Sequence, residues 1–369
     1  MSETLLDVRN LRTQFYTERG AVRAVDGVSF DVKQGEIVGL VGESGAGKSV
    51  TTSSIMRLVD EPGEVVGGDV RYKGRTLVGF EEAVDGTAEG ADGRPELVPR
   101  DEMLSEGEMR TEVRGNEIAI IFQDPMESLN PVYTVGAQVS EFMQLNRDLD
   151  DEEAREGAIE MLRRVGIPEA EKRYEDYPHE FSGGMRQRVL IAMALGCQPS
   201  LIIADEPTTA LDVTVEGQIL DLVNELQKEF GTSFIWVTHD MGVVAEICDR
   251  VNVMYLGRIV EQGPVEEIFH DTKHPYTEAL LNSIPRPDQT VSDLQPIAGT
   301  MPGAMSPPKG CRFHPRCPDA REACREVEPE LVEVDADHRS ACIKHADVGY
   351  DGSEPIDNEA SEAAVEERP

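Results

Sequence analysis

The sequence predicts an α/β fold built on a mostly parallel sheet, and three observations carry that expectation. The short apolar run 36–41 leads into a glycine-rich loop, after which residues 50–59 contain neither Pro nor Gly. A second apolar run, 201–204, ends in the acidic pair Asp205-Glu206, and a third, 233–238, ends at His239. Short apolar runs bounded by turn residues and alternating with helical stretches suit strands buried on both faces of a parallel sheet.

The first loop consists of Gly42, Glu43, Ser44, Gly45, Ala46, Gly47, Lys48 and Ser49, with the spacing G-x-x-x-x-G-K-S. Such a loop between a strand and a helix wraps a triphosphate with backbone N–H groups, and the helix N-terminus faces the negative charge. Lys48 would reach the β- and γ-phosphates and the Ser49 hydroxyl a Mg²⁺ ion. The flanking strand and helix separate this motif from a chance glycine-rich turn.

Asp205 and Glu206 follow a strand at its carboxyl end, where open α/β sheets place their ligands. Asp205 is suited to hold Mg²⁺, directly or through water. Strand alternation would turn Glu206 to the opposite side, where it could polarise an attacking water as general base. His239 could contact the γ-phosphate or the Glu206 carboxylate. Gln123, after the apolar run 118–122, offers an amide to Mg²⁺ and water. Each of these polar residues alone would be an ordinary strand-end or turn residue; with the loop they form a set.

Ser182, Gly183 and Gly184 precede a helix expected over 185–195 and present a hydroxyl, N–H groups and a positive helix end to an anion. Helix capping explains Ser182 but not the two glycines after it. A phosphate site of this kind serves a purpose when another chain supplies the nucleotide.

Helices are expected over 135–145 and 151–165, where Ala154, Ala158, Ile159, Met161, Leu162 and Val165 recur near the helical period. They belong to a helical subdomain of about 134–195. Residues of about 79–108, dense in Glu, Asp and Gly, read as a solvated acidic insertion. The main domain spans 1–284, a C-terminal region 285–348, and residues 349–369 read as an acidic, disordered tail. The motif set occurs once. No apolar run approaches the length that spans a bilayer, so any membrane attachment is expected through partners.

The charge is strongly negative: 71 Asp and Glu against 35 Lys and Arg give −36. Self-repulsion of such a surface is screened at molar salt, where the Debye length falls to about 3 Å. That balance points to a halophile's salt-rich cytosol and argues against nucleic acid as a partner.

Taken together, these residues resemble the ATP-binding subunit of an ATP-binding cassette (ABC) transporter over residues of about 5–283. The resemblance implies a P-loop NTPase core with a helical subdomain and ATP with Mg²⁺ as cofactors. It makes residues 42–49 the Walker A loop, Gln123 the Q-loop residue and 182–187 the signature motif. Asp205 and Glu206 become Walker B, Ala210-Leu211-Asp212 the D-loop, and His239 the switch histidine. In this family ATP is sandwiched between Walker A of one subunit and the signature of another, which implies a homo- or heterodimer. An N-terminal aromatic that stacks on adenine would be Phe15, with Tyr16 beside it.

The segments 24–30, 121–131, 274–281 and 310–318 resemble the oligopeptide/dipeptide importer branch. That implies an ATPase coupled to uptake of di- or oligopeptides, peripheral to the cell membrane on its cytoplasmic side. Its partners would be two integral membrane permease subunits and, indirectly, an extracellular solute-binding protein. Met126, Leu129 and Val132 would supply apolar contacts to the permeases. The same pattern suits nickel or other small solutes. Two other readings are a soluble ABC ATPase without a transport role and a cysteine-based redox or metal-sensing module.

Cys311, Cys317, Cys324 and Cys342 gather four of the six cysteines, spaced C-x5-C-x6-C-x17-C, in a stretch with little apolar material. Small regions of that kind usually need a crosslink or a metal. Four thiolates suit a 4Fe–4S cluster or zinc, and disulfides are rare in a reducing cytoplasm. Resemblance to dipeptide-importer ATPases, some of which carry an iron–sulfur cluster here, favours 4Fe–4S over zinc, disulfides or free thiols. Cys197 and Cys248 read as core thiols.

Overall fold

The computed structural model describes residues 3–81, 98–123, 128–209, 211–284 and 297–345. Two sheets face each other. One is antiparallel, in the order β2-β1-β4-β5-β6, from β1 (Thr4–Thr17), β2 (Gly20–Lys33), β4 (Gly63–Tyr72), β5 (Arg75–Glu81) and β6 (Val98–Pro99). The other has the order β12-β13-β11-β10-β3-β9-β8-β7. Its centre is parallel: β10 (Arg250–Tyr255), β3 (Ile37–Val41), β9 (Ser233–Thr238), β8 (Leu201–Asp205) and β7 (Ile118–Ile121). Antiparallel β11 (Arg258–Pro264), β13 (His338–Ser340) and β12 (Val332–Asp335) complete one edge.

Strand alternation explains why the parallel strands read as continuous apolar runs. Val38, Leu40, Leu201, Ile203, Ile235 and Val237 pack toward the antiparallel sheet, with Val8, Leu11, Val28 and Phe30. The intervening Ile37, Ile202, Ala204, Phe234 and Trp236 pack with the helices. Among the described residues the α-helices of five residues or more are α1 (Lys48–Ile55), α2 (Val135–Asn146), α3 (Asp151–Arg164), α4 (Gly183–Gly196), α5 (Val213–Phe230), α6 (Met241–Ile247), α7 (Val265–His270), α8 (Pro275–Asn282) and α9 (Glu322–Glu326).

Helix ends follow their caps. Thr134 caps α2, and Asp150 with Glu153 forms a capping box on α3. The apolar faces of α2, α3 and α4 meet in one cluster through Val139, Met143, Ala158, Leu162, Val189 and Ala192. α1 ends at Ile55, short of the end of the Pro- and Gly-free stretch 50–59, which reads as a helix.

Of the acidic segment 79–108, residues 82–97 lie outside the described residues, as does the tail 349–369. Its described flanks are ordered. Phe80 and Leu104 pack against the core, and Ser105 and Glu108 form a capping box on the short helix Glu106–Glu108.

The C-terminal region borrows its core from the main domain. Phe313, Cys317 and Ala320 pack with Tyr255, Tyr276 and Leu280. A buried polar node ties it down further: Glu261, fully buried, accepts from the backbone N–H groups of Lys273 and His274 and pairs with His338 Nε2 at 2.8 Å. Among the described residues no helix is long and apolar enough to cross a membrane.

Candidate nucleotide site

Two close approaches show why the loop after β3 needs glycine. A Cβ on Gly42 would come within 2.2 Å of the Met254 carbonyl oxygen, and one on Gly47, at φ +103°, within 2.3 Å of the Ala24 carbonyl oxygen. The loop therefore lies directly against β10 and β2. Within it, Ala46 is fully buried.

Above the carboxyl ends of β3, β7, β8 and β9 lies an open cavity of about 800 Å³. Its floor is Glu43, Ser44, Gly45, Gly47, Lys48 and Ser49, and Gln123, Glu206 and His239 line it as well. Phe15, Val22 and Ala24 form one apolar side. Phe15 is the aromatic at the cavity, whereas Tyr16 is not part of its lining.

The Lys48 ammonium donates to the carbonyls of Gly42 at 2.8 Å and Glu43 at 3.2 Å and lies 3.6 Å from Glu206 Oε1. Burial pulls its pKa down and the neighbouring carboxylates oppose that shift. Ser49 Oγ donates to Asp205 Oδ1 at 3.0 Å, and burial holds the Asp205 carboxyl above the ordinary carboxylate range. A hydroxyl and a carboxylate oxygen in contact are an all-oxygen donor pair of the kind Mg²⁺ takes, so the residues present fit that ion.

Glu206 is the hub. Gln123 Nε2 donates to its Oε2 at 3.0 Å, Thr209 Oγ1 to the same oxygen at 3.3 Å, and His239 Nδ1 lies 3.3 Å from Oε1. Plain strand alternation does not place it. β8 stops at Asp205, and Glu206 adopts a left-handed conformation at φ 45°, its N–H bonded to the Val237 carbonyl. A non-glycine residue held there stores strain, which clusters at working sites. Gln123 meets Glu206, where the sequence suggested Mg²⁺ and water.

Ser182, Gly183 and Gly184 do not line this cavity. Ser182 caps α4, its Oγ accepting from the Met185 N–H at 3.3 Å. Gly184 also has a packing reason, since a Cβ there would meet Val215 at 2.5 Å. Ala210 lies outside the described residues; Asp212 caps α5 and leaves Val213 84% exposed.

Met126 also lies outside the described residues. Leu129 corrects one expectation: it is 2% exposed and belongs to the helical core, so it offers nothing to a partner. The apolar surface near this segment is instead Val132, Tyr133 and Phe122, at 71%, 56% and 54% exposure.

Sequence reasoning missed several groups at the cavity. Leu280, Ser283, Ile297 and Ala304 line it from α8 and the C-terminal region. Tyr276 and Arg316 hold Glu43 from behind the loop. Only the position of 274–281 and 310–318 within the resemblance marked these segments, and nothing in it assigned them to the loop.

The four C-terminal cysteines do converge. Cys311, Cys317, Cys324 and Cys342 line one small cavity of about 20 Å³, room for about one water. All are free thiols, and burial pushes Cys311 and Cys317 up to about 12, which keeps them protonated at neutral pH. Among the described residues no group of three or more His, Cys, Asp or Glu could hold a metal ion. The arrangement therefore supports neither zinc nor a 4Fe–4S cluster; it brings the four thiols to one cavity and no more. Cys197 is buried in the core as expected, and Cys248 is partly buried against it.

A glycine-built loop, a buried lysine and a carboxylate hub on one cavity are the arrangement of a phosphate-loop nucleoside triphosphatase. The ABC transporter family profile matches residues 25–209, and that of the oligopeptide/dipeptide transporter C-terminal region matches 260–324. An oligopeptide transport ATP-binding protein of Bacillus subtilis is 43% identical, covering 95% of this chain and 99% of its own. A dipeptide transport ATP-binding protein of Haemophilus influenzae is 45% identical, covering 89% of this chain and 92% of its own. Among solved structures, a dimeric ATP-binding cassette bound to ADP and Pi superimposes with a TM-score of 0.58 at 25% identity, covering 71% of this chain and 99% of that one. The chain belongs to the ABC transporter ATP-binding family, in its oligopeptide/dipeptide branch, and is an ATP-hydrolysing subunit of an importer.

Proposed function

We propose that this chain powers uptake of di- or oligopeptides, with Mg·ATP held on residues 42–49 and closed over by a second ATP-binding subunit. The observation that carries this reading is the single network joining Lys48, Gln123, Glu206 and His239 at a cavity that Ser182–Gly184 of the same chain do not line. A phosphate-binding helix start without a phosphate site of its own suits the opposite side of a dimer.

Ser49 and Asp205 would hold Mg²⁺, which when bound neutralises charge on the phosphates. Lys48 exchanges its contact with Glu206 for phosphate oxygens. The freed Glu206 carboxylate then orients water and accepts its proton, while Gln123 and His239 fix its position. Phe15 stacks on adenine. Replacing it with Ala should weaken ATP binding roughly tenfold, because base–aromatic stacking is worth about 1–3 kcal/mol; equilibrium binding of ATP against the triphosphate alone measures it.

The exposed apolar group Phe122, Val132 and Tyr133 is the surface offered to two integral membrane subunits, which hold the chain at the cytoplasmic side of the cell membrane. An extracellular solute-binding protein delivers the peptide. Co-purification with membrane subunits and ATP-driven uptake of labelled peptides into proteoliposomes tests the assignment. Uptake of Ni²⁺ in place of peptides would contradict it.

The finer cofactor reading, a 4Fe–4S cluster on the four cysteines, rests on their convergence on one cavity, and binding it would require their deprotonation. Equal iron and sulfide after anaerobic purification is the expected result, and neither element would reject it. The net charge of −36 favours a salt-rich cytosol: thermal stability should rise steeply between 0.1 and 3 M KCl, as repulsion beyond a Debye length of about 3 Å at molar salt is screened. Equal stability at both would count against a halophilic protein.

A further inference from the structure

Glu43 is gripped from a part of the chain that carries none of the nucleotide motifs. Arg316, from the segment between Cys311 and Cys317, donates through both terminal nitrogens to the two Glu43 carboxylate oxygens, at 2.9 and 3.0 Å. Its Nε donates to the Ala298 carbonyl at 2.8 Å, and its guanidinium lies 5.8 Å from the Tyr255 ring centre and 6.0 Å from that of Phe313. The side chain is 5% exposed. From α8, the Tyr276 hydroxyl accepts the Glu43 backbone N–H at 2.9 Å. Side chain and backbone of one loop residue are thus both anchored by groups outside the loop.

The charge at that residue makes the anchor matter. Glu43 lines the same cavity as Lys48 and Ser49, so a free carboxylate there would repel a triphosphate through a partly desolvated path. A bidentate Arg–carboxylate pair neutralises it and fixes its direction at once, which a flexible ammonium would not do. The segment that bears Arg316 is itself held in place. Arg312 donates to the Leu256 carbonyl at 2.6 Å and pairs with Asp26, while Phe313 packs on Tyr255 and Tyr276.

We propose that Arg316 is a positioning residue for the phosphate loop: by neutralising and orienting Glu43 it shapes the loop for MgATP, so the C-terminal region sets nucleotide affinity. This rests on the assignment of residues 42–49 as the nucleotide site, which MgATP binding by the unaltered chain tests separately.

The experiment compares equilibrium MgATP affinity and thermal midpoint in Arg316→Gln, Glu43→Gln and the double variant of the full chain. Arg316→Gln should raise Kd about tenfold, as expected for loss of a charged hydrogen-bonded partner. Glu43→Gln sets the affinity of a loop without the carboxylate, and the double variant should match it, since no carboxylate is left to neutralise. An unchanged Kd in Arg316→Gln overturns the inference. So does a double variant that binds as much more weakly than Glu43→Gln as Arg316→Gln binds than the unaltered chain, because a packing role would persist without Glu43. If Arg316→Gln does not fold, Arg316→Lys with and without Glu43→Gln carries the same comparison: the monodentate Lys weakens binding and removal of the carboxylate cancels the loss. A loss that persists overturns the inference.

Discussion

Glu206→Gln should lower ATP turnover by about 10²–10⁴-fold, the usual contribution of a positioned general base, while MgATP binding survives. The substitution keeps the side chain's length and its amide can still meet Gln123, His239 and Thr209, which now contact the carboxylate at 3.0 to 3.3 Å. What it removes is the proton acceptor. It also removes the negative partner of Lys48, 3.6 Å away, so phosphate oxygens no longer compete with that carboxylate for the ammonium. Single-turnover hydrolysis together with nucleotide binding separates these effects. Turnover close to that of the unaltered chain would show that Glu206 is not the base.

Lys48→Ala is the complementary result: MgATP binding itself should fall by at least about tenfold, since hydrogen bonds to charged groups are worth about 1.5–3 kcal/mol. Lys48 is 5% exposed, and its ammonium is turned onto its own loop through the Gly42 and Glu43 carbonyls. Its desolvation is one reason the group is poised to gain from an incoming anion. Loss of the ammonium leaves those carbonyls and Glu206 without their cation, so the empty loop should also soften. Titration calorimetry with MgATP, with circular dichroism to confirm the fold, checks both parts.

The parts of this molecule legible in the sequence are those whose signal is local. Residues 233–238 form a strand with the bounds their apolar run suggests, and 135–146 and 151–164 form helices within a residue of expectation. The phosphate loop was legible because spacing and flanking elements agree. Less visible was the antiparallel sheet, in which β1, β2 and β4 are long, half-buried and bulged while β6 has only two exposed residues.

The rest depends on the fold. Leu129 reads as one more apolar residue in a docking segment, and only packing shows that it points into the helical core. Glu206 leaves strand alternation because the chain turns left-handed at that residue. β12 and β13 are short and polar, so joining the main sheet through β11 left no periodic signal. Arg316 and Glu43 lie 273 positions apart, and no local pattern connects them.

The most direct measurement of the central claim is the mass in solution of the Glu206→Gln full chain, with and without MgATP, in high KCl and together with any companion ATP-binding subunit that purifies with the complex. Closure of one chain's phosphate loop by the Ser182–Gly184 helix start of another predicts an ATP-dependent doubling of mass, lost again in Lys48→Ala. A chain that binds MgATP stoichiometrically and stays a monomer beside its companion would contradict it.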